Sequence, residues 1–200
     1  MINSQPPRLV LASTSKFRQA LLRQLQIPFE CAAPNIDESH RLNESASELV
    51  ARLALEKAQA VQAHYPQALI IGSDQVAVLN GQILGKPHTH ANATAQLQAS
   101  SNQYVEFLTG LCLFNSNTQT YQLDVVHFGV KFRPLSESMI EYYLQREQPY
   151  ECAGSFKSEG LGVVLFEKML GDDPSALIGL PLIRLTDFLQ QQGIVLPLAI

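Results

Sequence analysis

A serine-rich loop close to the N-terminus carries the first residues that could bind a phosphate. The apolar run at residues 8–12 leads into Ser13-Thr14-Ser15, and Arg18 follows three residues later. If a strand ends here and a helix begins, free backbone N–H groups lie beside hydroxyls and a guanidinium, which together bind phosphate. The alternative is that Ser15 only caps the helix and that Arg18 faces solvent. The loop alone leaves both interpretations open.

A carboxylate follows the second apolar run of the chain. Residues 69–71 are Leu-Ile-Ile, and Gly72-Ser73-Asp74-Gln75 comes next. An aspartate at the end of a buried strand can hold a metal or activate a water molecule, because the fold keeps it partly buried. Asp74 could equally begin the turn into the following hairpin. Taken alone, the sequence does not separate these two roles.

Further charged residues lie in segments predicted as loops or on the second predicted helix. Gly85-Lys86-Pro87 follows a hairpin, and residues 154–160 precede an apolar run, so both segments are loops at the ends of strands, where ligand-binding groups are common. Any single lysine among them is more often a solvated surface residue, and Arg52 with Glu56 could be a simple helix-surface pair. The candidates are Glu38, Glu56, Lys57, Lys86, Lys157 and Glu159.

Several catalytic motifs are missing from the sequence. His88 and His90 have no carboxylate or cysteine at metal-ligand spacing, and no GxSxG, Walker A, HExxH or dinucleotide fingerprint is present. A serine hydrolase, a P-loop NTPase and a zinc protease are therefore disfavoured.

The elements that must position these residues mix strands and helices without regular βαβ alternation. Strands are predicted at residues 8–12, 69–72, 76–79, 82–84, 104–114, 119–132 and 161–166. Helices are predicted after Ser15, from the capping box at residues 45–48, at residues 91–99, from Ser136 to Arg146 and at residues 180–192. We therefore expect an α/β fold with a mixed sheet flanked by helices rather than a doubly wound parallel sheet.

Composition sets limits on the function. The chain has 200 residues, is 46% hydrophobic and has a net charge of −4, which favours one globular domain over residues 1–200 and argues against wrapping of nucleic acid. Three scattered cysteines indicate a reducing compartment and no zinc site. No apolar run approaches the length of a membrane span, and the first residues do not resemble a secretory signal. We expect a cytoplasmic protein without membrane or nucleic-acid partners.

In combination, these segments resemble the Maf family of nucleotide pyrophosphatases, with the family's motifs in order from about Leu9 to Leu189. The motifs are residues 9–15 with Arg18, Glu56-Lys57-Ala58, Gly72-Ser73-Asp74-Gln75, Gly85-Lys86-Pro87 and Gly179-Leu180-Pro181. The resemblance implies an inosine-triphosphate-pyrophosphatase-like fold with two lobes around a cleft, and a homodimer. It also implies hydrolysis of a nucleoside triphosphate to a monophosphate and pyrophosphate with a divalent cation, Mg²⁺ or Mn²⁺.

The resemblance also implies a role for each site residue. Asp74 matches the family's catalytic proton acceptor, and Glu38 matches an acidic position that we place with Asp74 at the metal. The positions that match the phosphate-binding residues are Ser13, Arg18, Lys57 and Lys86. Lys157 is a further candidate for stabilising the pyrophosphate leaving group.

Three positions resemble the subfamily that acts on 7-methyl-GTP, namely Phe17, Gln75 and Glu159. In members of the family that act on dTTP and UTP, the corresponding segment resembles Ser-Pro-Arg-Arg, whereas this chain has Ser15-Lys16-Phe17-Arg18. An aromatic ring attracts the positive charge of 7-methylguanine, and a carboxylate accepts hydrogen bonds from its N1–H and amino group. Gln75 can both donate and accept, so it decides little, and Phe17 also fits the apolar stripe of its helix as a core residue.

Two alternatives to 7-methyl-GTP hydrolysis remain open. One is a pyrophosphatase of the same family that acts on dTTP or UTP. The other is a non-catalytic, nucleotide-binding regulator of septum formation, which would not need the carboxylate or the lysines. A plain interaction module, the remaining class, would bind no nucleotide at all.

Overall fold

A computed structural model describes residues 7–197, and these residues form a seven-stranded mixed sheet with helices packed against it. The sheet order is β2-β1-β3-β5-β6-β7, with β4 paired to β3. The strands are β1 (Arg8–Ala12), β2 (Glu30–Ala32), β3 (Ala68–Leu79), β4 (Gln82–Leu84), β5 (Tyr104–Asn115), β6 (Thr120–Phe132) and β7 (Phe166–Leu170). Strand β1 pairs in parallel with β2 and β3, and all other pairs are antiparallel. The prediction of a mixed sheet is confirmed.

The helices begin where the sequence provides caps. They are α1 (Lys16–Arg23), α2 (Ala46–Val61), α3 (His90–Ser100), α4 (Glu137–Glu147), α5 (Pro174–Ile178) and α6 (Leu182–Gln191). Side chains of Ser15, Thr89 and Ser136 cap α1, α3 and α4, and Ser45 with Glu48 forms the predicted capping box of α2. No helix in the described range is long and apolar enough to span a bilayer.

Strand β3 is longer than predicted. The predicted strands at residues 69–72 and 76–79 are parts of one strand of 12 residues, which pairs with β5 from Leu69 to Val78. Asp74 therefore lies inside a strand and not at its end. The three polar residues do not interrupt the strand because each finds a partner: Ser73 bonds a backbone carbonyl, Asp74 a lysine and Gln75 a threonine.

The prediction of a strand at residues 161–166 is wrong. Residues Leu161–Leu165 form a 3₁₀ helix, and strand β7 begins only at Phe166. The backbone N–H groups of Leu161 and Gly162 donate to Glu147 and to the Lys157 carbonyl, so they are not available to a neighbouring strand.

The last predicted helix begins later than expected. Residue 180 is not helical, because α5 ends at Ile178, is capped by Gly179, whose φ of +113° favours glycine, and α6 begins only at Leu182 after Pro181. Helix α5 itself was not predicted. The predicted end of α6 before Gly193, with φ +81°, is confirmed to within one residue.

Helix α2 lies very close to the centre of the sheet because two glycines face it. A Cβ atom on Gly72 would stand 2.0 Å from the Ala54 carbonyl oxygen, and one on Gly110 would stand 2.1 Å from that of Val50. Any side chain at either position would push the helix away. The close approach brings the α2 residue Lys57 against Asp74 on β3.

Candidate active site

Three charged residues from three elements meet at the centre of the cleft. The Lys57 ammonium on α2 lies 2.6 Å from Asp74 Oδ1 on β3 and 3.0 Å from Glu38 Oε1 in the loop before α2. Lys57 and Asp74 are buried, whereas the Glu38 side chain is 56% exposed. The lysine therefore holds the two carboxylates together and neutralises part of their charge in the free protein.

Arg18 on α1 completes the charged group. Its Nε donates to the Gly179 carbonyl oxygen at 2.7 Å, and the buried Ser73 hydroxyl donates to the same oxygen at 2.9 Å. Burial lowers the pKa of the Arg18 guanidinium, while the negative charges of Asp74 and Glu38 raise it. Arg18 is therefore partly buried and lines the cleft.

The serine loop has a structural role in addition to its place in the cleft. Ser13 is buried at the end of β1, and its Oγ accepts a hydrogen bond from the Ser15 backbone N–H at 3.1 Å. The Ser15 Oγ caps α1 by accepting from the Arg18 N–H at 3.4 Å. The helix-cap role of Ser15 is therefore confirmed, and phosphate binding by the loop, which lines a cavity, stays a prediction.

A cavity of about 850 Å³ is lined by all the residues predicted to bind phosphate or metal except Lys157. Lys86 lies at its edge, 56% exposed, and its ammonium is 4.0 Å from Glu151. The predicted residues lining this cavity are Ser13, Phe17, Arg18, Glu38, Lys57, Asp74, Gln75 and Lys86.

A second cavity, of about 190 Å³, shares a wall with the first and is lined by aromatic rings and carboxylates. Glu159, which the larger cavity does not contain, lines this one, and Phe107 and Phe156 form its apolar side. Phe17 is 39% exposed, so it is not a core residue. Residues common to both cavities are Ser15, Phe17, Arg18, Gln75, Lys86 and Glu151.

Lys157 does not take part in this arrangement. Its ammonium donates to the Glu147 carbonyl oxygen at 2.8 Å, and its side chain lines neither cavity. The earlier expectation that Lys157 stabilises a leaving group is therefore not supported by its position. Glu151, by contrast, was not predicted, because an isolated glutamate in a loop has no distinguishing sequence pattern.

The carboxylates suit a hard divalent cation in combination with a ligand. Asp74 and Glu38 converge on one point, where Lys57 now lies, and Mg²⁺ prefers one or two carboxylates plus phosphate oxygens. Within residues 7–197 no group of three or more His, Cys, Asp or Glu side chains could hold a metal unaided. The residues present therefore fit a metal that is held jointly with a phosphorylated ligand.

The structure is that of a mixed α/β protein with two adjoining cavities, one lined by cations around Asp74 and the other by aromatic rings and carboxylates. Residues 8–192 match the model of the Maf-like protein family, and the chain belongs to that family.

Curated relatives are similar over nearly the whole chain. A protein of Pseudomonas savastanoi pv. phaseolicola is 60% identical over 96% of this chain and 100% of its own, and one of Pseudomonas aeruginosa is 56% identical over the same shares. A protein of Nitrosococcus oceani is 58% identical over 94% of both chains. Each of these relatives is named 7-methyl-GTP pyrophosphatase. The solved structure of the Staphylococcus aureus Ham1 protein aligns with 14% identity and a TM-score of 0.45, over 64% of this chain and 72% of that one.

Proposed function

We propose that the protein is a nucleoside triphosphate pyrophosphatase that hydrolyses 7-methyl-GTP to 7-methyl-GMP and pyrophosphate. The observation that carries the proposal is the pair of adjoining cavities, one lined by cations around Asp74 and the other by aromatic rings and a carboxylate. The names of relatives that are 56–60% identical support the same activity.

In this proposal the triphosphate lies in the larger cavity. Arg18, Lys57 and Lys86 neutralise the phosphates and stabilise the charge that develops on pyrophosphate as it leaves. Because Arg18 uses Nε for the Gly179 carbonyl, its two terminal nitrogens remain for phosphate oxygens.

Asp74 is the proposed proton acceptor for the attacking water. It is buried, within hydrogen-bond distance of Lys57, and on a central strand that fixes its position. When the triphosphate enters, its oxygens compete for Lys57, which frees the Asp74 carboxylate to take a proton from water at the α-phosphorus.

The proposed cofactor is Mg²⁺ or Mn²⁺, held by Asp74, Glu38 and phosphate oxygens. When bound it would supply further neutralisation of the triphosphate charge. Glu38 would thus bind the metal only when the triphosphate is present. Its side chain, which is 56% exposed, is accessible to that ligand.

Base recognition is assigned to the smaller cavity. Phe17 offers an exposed ring to the cationic base, and Glu159 offers a carboxylate to its N1–H and amino donors. The aromatic rings of Phe107 and Phe156 close the other side of the cavity.

The test is product analysis with purified protein and Mg²⁺ or Mn²⁺ across 7-methyl-GTP, GTP, dTTP, UTP and CTP. We expect preferential conversion of 7-methyl-GTP to its monophosphate and pyrophosphate. Preference for dTTP or UTP would contradict the assigned substrate but leave the catalytic role of Asp74 in place. No turnover of any nucleotide by folded protein would favour the non-catalytic, nucleotide-binding regulator.

Two expectations that accompany this function stay predictions. We propose that the protein acts as a homodimer on free nucleotides in the cytoplasm, without nucleic-acid or membrane partners. Light scattering of the purified protein and fractionation of cells test the dimer and the location respectively.

A further inference from the structure

We propose that Gln75 offers only its carbonyl oxygen to the bound base, and that the buried Thr109 is a positioning residue that holds this orientation together with backbone carbonyl groups of α5. The inference rests on the proposed function, because it assigns how one residue of the smaller cavity recognises the base. It also resolves the ambiguity of a side chain that can both donate and accept.

The amide nitrogen of Gln75 has its partners inside the protein. It lies 2.6 Å from the Ala176 carbonyl oxygen, 3.2 Å from that of Leu177 and 2.9 Å from Thr109 Oγ1. Backbone carbonyl oxygens only accept hydrogen bonds, so the nitrogen and not the oxygen must face α5. The reversed amide would place its oxygen against two carbonyl oxygens.

Thr109 is itself held in one orientation. It is completely buried on β5, and its hydroxyl lies 2.9 Å from the Ala176 carbonyl oxygen. Because that oxygen cannot donate, the Thr109 proton must point to it, and the hydroxyl oxygen is left to accept from Gln75. The same carbonyl thus orients both side chains.

The Gln75 carbonyl oxygen is the atom left for a ligand. No hydrogen bond reaches it from residues 7–197, and the side chain lines both cavities. Among the residues described, the buried side-chain oxygen without a partner is Gln122 Oε1, so the Gln75 oxygen is open to the cleft.

Two acceptors in one small cavity select a particular edge of a base. Guanine presents N1–H beside a 2-amino group with two hydrogens, so Glu159 can accept from N1–H and one amino hydrogen while Gln75 accepts from the other. Uracil and thymine present a single N3–H between two carbonyl oxygens, and one of those would face an acceptor. An acceptor that the bound base covers but leaves unpaired makes a site reject the wrong ligand.

The experiment compares Thr109→Val, which removes the hydroxyl at nearly constant volume, with Thr109→Ser, which keeps it. We expect Thr109→Val to lower the ratio of kcat/KM for 7-methyl-GTP over UTP by about tenfold, because Gln75 loses one anchor of its orientation. Thr109→Ser should restore the ratio to within about twofold of wild type. A role in stability alone would lower both activities by the same factor.

A matched control is Ser100→Ala, which also removes a buried hydroxyl that donates to a carbonyl, here that of Gln96 on α3. It should lower the melting temperature without changing the nucleotide ratio. An unchanged ratio in Thr109→Val, or an equal loss in Thr109→Ser, would overturn the proposal.

An independent measurement separates this inference from the proposed function. In the wild-type protein, NMR should show slower hydrogen exchange for the Gln75 side-chain amide than for an exposed glutamine such as Gln190. Equally fast exchange would overturn the assigned orientation, even if Thr109→Val fails to fold. Slow exchange in a protein that does not prefer 7-methyl-GTP would leave the orientation supported and contradict the proposed substrate.

Discussion

At the scale of single residues, the charged side chains of the free cleft are already paired with one another. Lys57 neutralises part of the charge of Asp74 and Glu38, and Lys86 lies near Glu151. A triphosphate must displace these internal pairs, and the cost is offset because each cation exchanges a carboxylate for a phosphate oxygen. The site therefore keeps buried charges paired before the ligand arrives, as buried charges require.

Asp74→Asn should remove turnover while keeping the fold. Asparagine has nearly the same shape but cannot accept a proton from water, and general-base catalysis contributes about 10² to 10⁴ in rate. Lys57 would still have Glu38 as a partner. We expect kcat for 7-methyl-GTP to fall by at least about 10²-fold in steady-state kinetics. Asp187→Asn, an exposed aspartate on α6, is the matched control and should retain activity; near-normal kcat in Asp74→Asn would remove Asp74 from this role.

Glu159→Gln should weaken discrimination between bases more than overall activity. The change keeps one acceptor oxygen but removes the charge that attracts 7-methylguanine and introduces a donor amide. We expect the ratio of kcat/KM for 7-methyl-GTP over UTP to fall by about tenfold or more, since hydrogen bonds to charged groups contribute about 1.5 to 3 kcal/mol. Glu167→Gln on β7 removes an exposed carboxylate outside both cavities and should leave the ratio unchanged.

The candidate site was predictable to the extent that residue types indicate chemistry. Apart from Lys157, the residues named for catalysis, phosphate, metal or base each line one of the two cavities. The positioning role proposed for Thr109 was not predictable, because no sequence pattern indicates that a threonine inside an apolar strand makes a buried hydrogen bond. Lys157 failed for the opposite reason: its neighbours in the sequence suggested a ligand, and only packing turns it to Glu147.

At the scale of elements, Arg52 makes several of the contacts that attach the Glu38 loop to α2. Arg52 pairs with both carboxylate oxygens of Glu44, donates to the Ser39 carbonyl at 3.0 Å and contacts Glu56. Its side chain and that of Glu44 are largely buried. The spacing of Arg52 and Glu56 suggests only a helix-surface pair. Arg52 in addition helps to hold the loop that carries Glu38 against α2.

Removal of this arginine should reduce the loss of stability in acid. The hydrogen bond from Arg52 lowers the pKa of Glu44 from 4.5 to about 2, so this pair contributes stability above pH 4.5 that is lost as the pH falls toward about 2. In Arg52→Met, urea unfolding should show a lower free energy at pH 7 and a smaller decrease between pH 4.5 and 2. Arg8→Met breaks an exposed pair with Glu30 and should change the free energy at pH 7 far less. An unaltered acid dependence in Arg52→Met would contradict the role assigned to the pair.

The local sequence predicts helices and strands well where caps and turns define their ends. It predicts them poorly where tertiary contacts determine how far an element extends. The caps at Ser15, Ser45 and Ser136 each began a helix as predicted. Strand β3 continues through Asp74 because Lys57, from a distant helix, satisfies the carboxylate. Such a partner cannot be identified from the neighbouring residues, so the strand was predicted as two pieces.

At the scale of the whole molecule, the mixed sheet assembles the cleft from distant parts of the chain. Arg18, Ser73 and Gly179 meet although more than 100 residues separate the first and the last. The smaller cavity combines α1 residues with Phe107 and Phe156, which belong to the core cluster beneath α3 and α4. A nucleotide that fills both cavities would therefore link contacts from both ends of the sheet.

A nucleotide that bridges these parts should stabilise the entire fold. In Asp74→Asn, which should bind without turnover, 7-methyl-GTP at about 100 times its Kd adds about 2.7 kcal/mol to the free energy of unfolding. For a chain of this size that corresponds to a rise in Tm of about 5 to 10 °C, measured by differential scanning fluorimetry with Mg²⁺. UTP at the same concentration should raise the Tm less, since it leaves the acceptors of the smaller cavity unpaired. Equal shifts for both nucleotides would contradict base recognition in that cavity, and no shift with any nucleotide would favour an interaction module. A clear shift without turnover by the wild-type protein would instead identify a nucleotide-binding regulator, because binding would then occur without hydrolysis.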